Sequence, residues 1–437
     1  MNILIVGNGF DLSHYLPTKY DHFMVAMGAI ENWDEQKGEM SFDDLFGSLY
    51  EKENYFFKYT KAMYQTDEIK ISIDQIKDLK QKLKENVWYQ YFSDHVREVK
   101  TWIDFEEKIY KSLLVVNVFF EKYKSIKEKN GSVYNEISGI FGEASNSVYL
   151  TLLERERLIL KSLGVFDIKT NHDNELYISY CIRDNFLDIF RKDIMLNAQK
   201  IVDILMMQLS DLKSIFNSYL ATVVDGVEVN VSLNSILSLD LMYTFNYTST
   251  LEKKYKQKRT SVRHIHGETE KGNIVLGVSD LENSFLKNYK AYGFTKYHQK
   301  LLLETDFQFL CEEKVVKDKI RFWDELQRNI SESYYDTQVA KNNNINIFIW
   351  GHSLDISDES YINEIFSLND MMDRFVRVVI YYFNYQAKFD LLANLLHILG
   401  KEKVERWMKK GWLKFEPNPD IIKINNIQPV DLPKFEK

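Results

Sequence analysis

Two cysteines in 437 residues, Cys181 and Cys311, build neither a disulfide framework nor a four-cysteine zinc module. Such sparing use suits a reduced, cytoplasmic protein. No apolar run approaches the ~18 residues that a membrane span needs. Met1 to Val6 has no basic flank and is halted by Gly7, so it reads as a buried strand and not as a signal peptide. An excess of positive charge is also missing. Lys and Arg number 56 against 64 Asp and Glu, a net charge of −8, which argues against nucleic acid as a partner. Proline is scarce, at 5 residues. What the chain does have is apolar bulk: 28 Phe and 27 Tyr supply far more buried surface than a disordered chain carries. Two or three structural units fit the length.

The chain opens on Ile3-Leu4-Ile5-Val6 followed by Gly7-Asn8-Gly9, the pattern of a central parallel strand feeding a tight turn. Asp11 or Ser13 is placed to cap a helix over Tyr20 to Ala29. From about residue 36 to 235 the texture is helical, with apolar residues at helix spacing in Ala144 to Leu163 and Phe186 to Leu212. Strand signals return at Leu239 to Tyr243, Val262 to His266, Ile274 to Leu276, Ile345 to Trp350 and Val376 to Phe383. A helix over Gln386 to Leu399 stops at Gly400. Residues 281 to 342 form a second helical excursion, Lys341 to Asn344 reads as a loop, and the tail beyond Pro417 as extended chain. The expectation is an α/β fold. A Rossmann-like parallel sheet, made by residues 1–35 and 236–437, is interrupted by a helical insertion over 36–235.

Four motifs fall at strand ends, where open α/β sheets bind ligands. In Gly7-Asn8-Gly9-Phe10-Asp11 the glycines would let backbone approach a phosphate, or they serve only a strand-to-helix turn. Leu12 stands where a dehydrogenase carries its third glycine, and no acidic ribose ligand follows about 20 residues on, which disfavours a nicotinamide dehydrogenase. Asp11 suits a cap or a ribose hydroxyl and would repel a phosphate. Thr244-Phe245-Asn246, with Glu252 further on, offers an amide for a water or a ribose, or an Asx turn. In His264-Ile265-His266-Gly267 period-two spacing puts both rings on one strand face, with His266 the better base and His264 structural. No companion carboxylate or imidazole supports a metal there. Trp350-Gly351-His352-Ser353-Leu354-Asp355 lacks the second glycine of a nucleophile elbow, which disfavours a serine hydrolase. Gly351 and Ser353 suit contact with a nucleotide, and Asp355 or Asp358 a helix cap.

The segments GNGFDLSHYLPTKY, YTFNYT, HIHG and GHSLDISD, in this order and spacing, resemble the bacteriophage abortive infection AbiH family. Trp102 to Glu106 (WIDFE) also resembles a family segment. More distantly, the order is similar to sirtuin-like NAD-consuming domains. That likeness implies Gly7, Gly9 and Phe10 lining a cofactor, Asn246 and His266 as catalytic residues, and Gly351, Ser353 and Leu354 on the adenosine side. Asp11 and Thr248 depart from the sirtuin pattern, and the deacylase cysteines are absent. The resemblances imply an antiphage effector that cleaves the nicotinamide–ribose bond of NAD as its substrate, without a metal. Asn8 and Thr244 would complete the dinucleotide site. A phage-derived trigger is implied, as is restraint by homo-oligomer assembly or by the helical segment. Two alternatives stand beside it: a nucleotide sensor without chemistry, and a metal-dependent nuclease or phosphohydrolase using Asp11, His266 and Asp355.

Overall fold

The computed structural model describes residues 1–94, 101–130, 152–170, 178–190, 193–230, 233, 238–255, 260–305, 309–329 and 344–434. Six strands make one sheet: β1 (Asn2–Val6), β2 (Leu241–Thr244), β3 (Ser261–His264), β4 (Ile345–Trp350), β5 (Val376–Tyr382) and β6 (Leu413–Pro417). All pairings are parallel, and the order is β6-β5-β4-β1-β2-β3. β1 is central, with Ile3 opposite Ile347 on one side and Leu241 on the other.

The unbroken apolar run of β1 has a direct cause. Leu4 and Val6 belong to one buried cluster with Phe23, Ile201 and Phe216, whereas Ile3 and Ile5 belong to another with Phe366, Leu395 and Trp407. Side chains alternate across a strand, and with both faces covered neither set is polar. The first cluster draws on helices α1 (Asn8–Ser13), α2 (Tyr20–Glu31), α3 (Trp102–Asn130) and α4 (Ala198–Tyr219). In α4, residues Ile201, Leu205, Leu209, Leu212 and Phe216 recur at three- and four-residue steps and are buried. A π-helical turn over Leu220–Asp225 follows it. Helix α5 (Lys296–Leu302) reaches both α3, through Glu106, and α6 (Glu359–Ser367), through Tyr361. On the other side lie α6 and α7 (Tyr385–Leu399); α7 ends at Gly400 with φ 78, as its sequence requires. No helix among the described residues is long and apolar enough to cross a membrane.

Several expectations need correction. Asp11 and Ser13 lie inside α1 and cap nothing; Lys19 precedes α2. Leu187–Phe190 and Asp193–Leu196 form an antiparallel hairpin where helix was expected. The helix waits for Asn197, whose side chain accepts the Lys200 N–H at 3.0 Å. A second hairpin pairs Phe166–Thr170 with Ile178–Ile182. Ile274–Leu276 is buried but not a strand, because the side chain of Gln299 takes both the N–H and the C=O of Leu276. β6 was not anticipated, and the stretch beyond Pro417, expected as extended chain, contains a short helix at Ile421–Asn425. Of the expected helix over 144–163, Glu154–Ser162 is helical and 144–151 lie outside the described residues, as do 341–343 of the expected loop.

Candidate functional site

The two glycine turns meet each other. The Gly7 N–H donates to Trp350 O at 3.2 Å and the Gly9 N–H to Gly351 O at 2.9 Å. A β-carbon on Gly351 would stand 2.0 Å from Phe10 N, and its φ of +70 is one that a side chain disfavours. The glycines thus let the carboxyl ends of β1 and β4 touch backbone to backbone, and two of the N–H groups expected on a phosphate are already bonded. Phe10 is core, its ring 5.0 Å from Trp350 and 4.4 Å from His14. Asn8 is half-buried.

Next to this seam is a buried polar cluster. Asp11 accepts the hydroxyls of Thr248 and Thr250, each at 2.7 Å. Burial pushes its carboxyl up to about 7 against the pull of those hydroxyls. Asn246 is buried, and its Nδ2 donates to Gly7 O at 3.0 Å while its backbone N–H donates to the Thr244 hydroxyl at 3.0 Å. The amide expected on a ribose therefore ties the β2 turn to the β1 turn. Asp225, delivered by the π-helical turn, accepts the Ser249 N–H at 3.1 Å and the Thr269 hydroxyl.

A second cluster forms where β3 and β4 end. His266 Nε2 stands 3.5 Å from Asp358 Oδ1, and His352 Nε2 stands 3.5 Å from Asp358 Oδ2. Both rings pack edgewise on Phe245, at 5.1 and 4.4 Å. Leu354, in the left-handed region at φ 53, donates its N–H to His352 Nδ1 at 3.0 Å. An Nδ1 that accepts leaves the ring proton on Nε2, toward Asp358. Leu354 is buried, and Ser353 is exposed, its carbonyl accepting from Asn394. Lys296 on α5 pairs with Glu106 on α3 at 2.9 Å. Lys300, one turn on, donates to the Tyr361 hydroxyl at 2.7 Å.

The electrostatics of this cluster separate its members. Burial drives the His266 imidazole down to about 3, with Lys300 and Lys296 adding to the push against Asp358, so the ring is neutral at physiological pH. Asp358 is also buried, but Lys296 and the two imidazoles outweigh that and hold it well below the usual carboxylate range. The Lys296 ammonium stays charged, since Glu106 and Asp358 outweigh its burial. A neutral imidazole facing a fixed carboxylate can accept a proton and have the resulting cation steadied, although burial makes it a weak base.

His266 sits among acid–base groups, but it is buried and lies beyond the end of β3. The shared face with His264 does not hold: β3 ends at His264, whose Nε2 turns to Glu252 at 3.3 Å. Asp355 caps the following turn by accepting the Ser357 N–H at 2.9 Å, whereas Asp358 forms no side-chain cap and faces the imidazoles instead. Glu106, Lys296, Lys300, His352 and Tyr361 were not anticipated. Glu106 lies in the WIDFE segment and His352 in GHSLDISD, whereas Lys296, Lys300 and Tyr361 carry no motif. Among the described residues no three of His, Cys, Asp and Glu are grouped to hold a metal ion, so Asp11, His266 and Asp355 do not form the set that a metal nuclease would use. A separate cavity of about 250 Å³, lined by Met27, Leu45, Ile71, Leu79, Tyr219 and Val223 among others, shares no residue with these clusters.

No curated protein and no solved structure matches this chain. A family model does match, over residues 3–382, from β1 to the last residue of β5, and so takes in both clusters. The chain belongs to the bacteriophage abortive infection AbiH family.

Proposed function

We propose that this abortive-infection protein is an enzyme acting on a nucleotide at the carboxyl edge of its sheet, and that its reaction is hydrolysis of the nicotinamide–ribose bond of NAD. One observation carries the reading. The strand order, β3-β2-β1-β4-β5-β6, is that of Rossmann-type dinucleotide folds, whose ligands lie beyond the carboxyl ends of the strands where the order reverses. His266, His352 and Asp358 gather at that edge. On this reading residues 1–35 and 236–437 are the nucleotide-binding core, and 36–235 an insertion that restrains it.

Cleavage breaks the C1′–N bond. The electron pair leaves with nicotinamide, which departs neutral, and the ribose gains oxocarbenium character. Asp358 supplies the fixed negative charge that such a cation needs. Neutral His266 accepts the proton of the attacking water as its oxygen bonds to C1′. Asn246 serves by fixing the Gly7 turn and does not act on the water. With purified protein and its phage trigger, nicotinamide should be released from NAD. His266→Ala should lower the rate by roughly 10²–10⁴-fold while leaving the thermal transition in place. An intact NAD pool under those conditions rejects the reaction.

A sensor without chemistry is the second reading, favoured by the spent donors of the glycine turn. Stabilisation by nucleotide without turnover would select it.

A further inference from the structure

Lys300 differs from every other charged group of the His266 cluster. The residue is buried, yet its ammonium contacts are the neutral hydroxyl of Tyr361 and, 4.7 Å away, the face of that ring. Among the described residues it forms no ion pair, whereas Lys296, four residues earlier on the same helix, is held by Glu106 at 2.9 Å. Burying a cation with no ion-pair partner is costly; Asp358 and Glu106 act on it only from beyond ion-pair distance, and a hydroxyl with a ring repays only part of that cost. Nearby, His266 Nε2 and Asp358 Oδ1 face each other at 3.5 Å, and neither has a hydrogen-bond partner. Tyr361 shares the Phe245 ring with both imidazoles, at 5.2 Å, so these groups belong to one neighbourhood.

The glycine turn cannot meet the same need. The N–H groups of Gly7, Gly9 and Phe10 are bonded to Trp350 O, Gly351 O and Gly7 O. A β-carbon at Gly7 would meet Gly351 O at 2.8 Å, so that face of the turn is already filled. An anionic group of the substrate must find its cation elsewhere. We propose that Lys300, steadied by Tyr361, is the anion-binding residue of this site and takes a phosphate or diphosphate of the ligand. The assignment rests on the reading that the sheet edge receives a nucleotide, and moves the phosphate from the glycine turn to α5. Lys296 is not equivalent, because Glu106 already neutralises it.

The test is calorimetric titration of the full chain with sodium pyrophosphate at fixed ionic strength, beside Lys300→Met and Tyr361→Phe. Wild type should bind saturably at one site. Lys300→Met should weaken binding at least tenfold, with a melting temperature of the free protein equal to or above that of wild type, since an uncompensated buried charge is gone. Tyr361→Phe should weaken it less. Absent binding to wild type, equal affinity in wild type and Lys300→Met, or a loss confined to stability overturns the assignment. If Lys300→Met does not fold, Lys300→Gln decides: the neutral side chain must weaken binding at least tenfold, and unchanged affinity counts against the proposal. Pyrophosphate bound through Lys300 with NAD left intact would reject NAD hydrolysis alone. NAD cleaved by Lys300→Met with an unchanged KM would reject the anion site alone.

Discussion

At the scale of single residues, the account turns on groups whose burial changes their chemistry. Asp11 is the clearest. Its carboxyl is raised from 3.8 to about 7 in the folded chain, so the native state binds more protons than the unfolded chain between those values. Its contribution to stability is therefore greatest below the unfolded value, declines as pH rises through about 7, and is flat above. Asp11→Asn removes that slope. Between about pH 5 and 8 the variant should lose roughly 2–3 kcal/mol less stability than wild type, by denaturant melts at each pH. Asp225, raised the same way, keeps its own slope in both proteins. His14 and His266, both lowered, act with the opposite sign in both. An equal slope in the two proteins would contradict the assignment. Gly351→Ala makes a steric counterpart. With a β-carbon 2.0 Å from Phe10 N at φ +70, it should cost about 2–5 kcal/mol in the same melts.

At the scale of elements, α3 joins the sheet edge through one ion pair. Its stripe of Phe105, Ile109, Leu113 and Val116 is buried, and Glu106 lies beside that stripe to meet Lys296. Glu106→Gln should destabilise the protein by about 1–3 kcal/mol, because buried Lys296 loses its ion-pair partner and keeps only Asp358 as a counter-charge. Adding Lys296→Met should restore most of that loss. A double variant as unstable as the sum of its parts would show the pair to be uncoupled. Here the limit of sequence reading is instructive. β1, β2, β4 and β5 were legible because strands covered on both faces are apolar throughout, and the GHSLDISD turn because glycine marks it. The paired strands Leu187–Phe190 and Asp193–Leu196 were not legible, since only the cap at Asn197 separates them from α4. The apolar run Ile274–Leu276 misled because a side chain, Gln299, stands in for a neighbouring strand. His266 was singled out by the glycine beside it, though it lies just beyond the end of β3. Its partners were not, because Lys296, Lys300 and Glu106 reach it from helices distant in the chain, and spacing within one segment carries no record of such contacts.

At the scale of the whole molecule, some 230 residues separate β1 from β2, and the clusters form only when those strands pair. Membership in the abortive infection family places the chain in defence against bacteriophage. A hydrolase of a nucleotide that every cell needs must stay silent until infection. The Glu106–Lys296 pair is one contact through which the helices preceding β2 reach the acid–base groups. The most direct measurement is the NAD and nicotinamide content of phage-infected cells carrying wild type, His266→Ala or Asp358→Asn at equal protein level. The account predicts that NAD falls and nicotinamide rises only with wild type, and that protection from phage is lost in both variants. Protection by wild type with NAD undiminished, or protection retained by both variants, would contradict it.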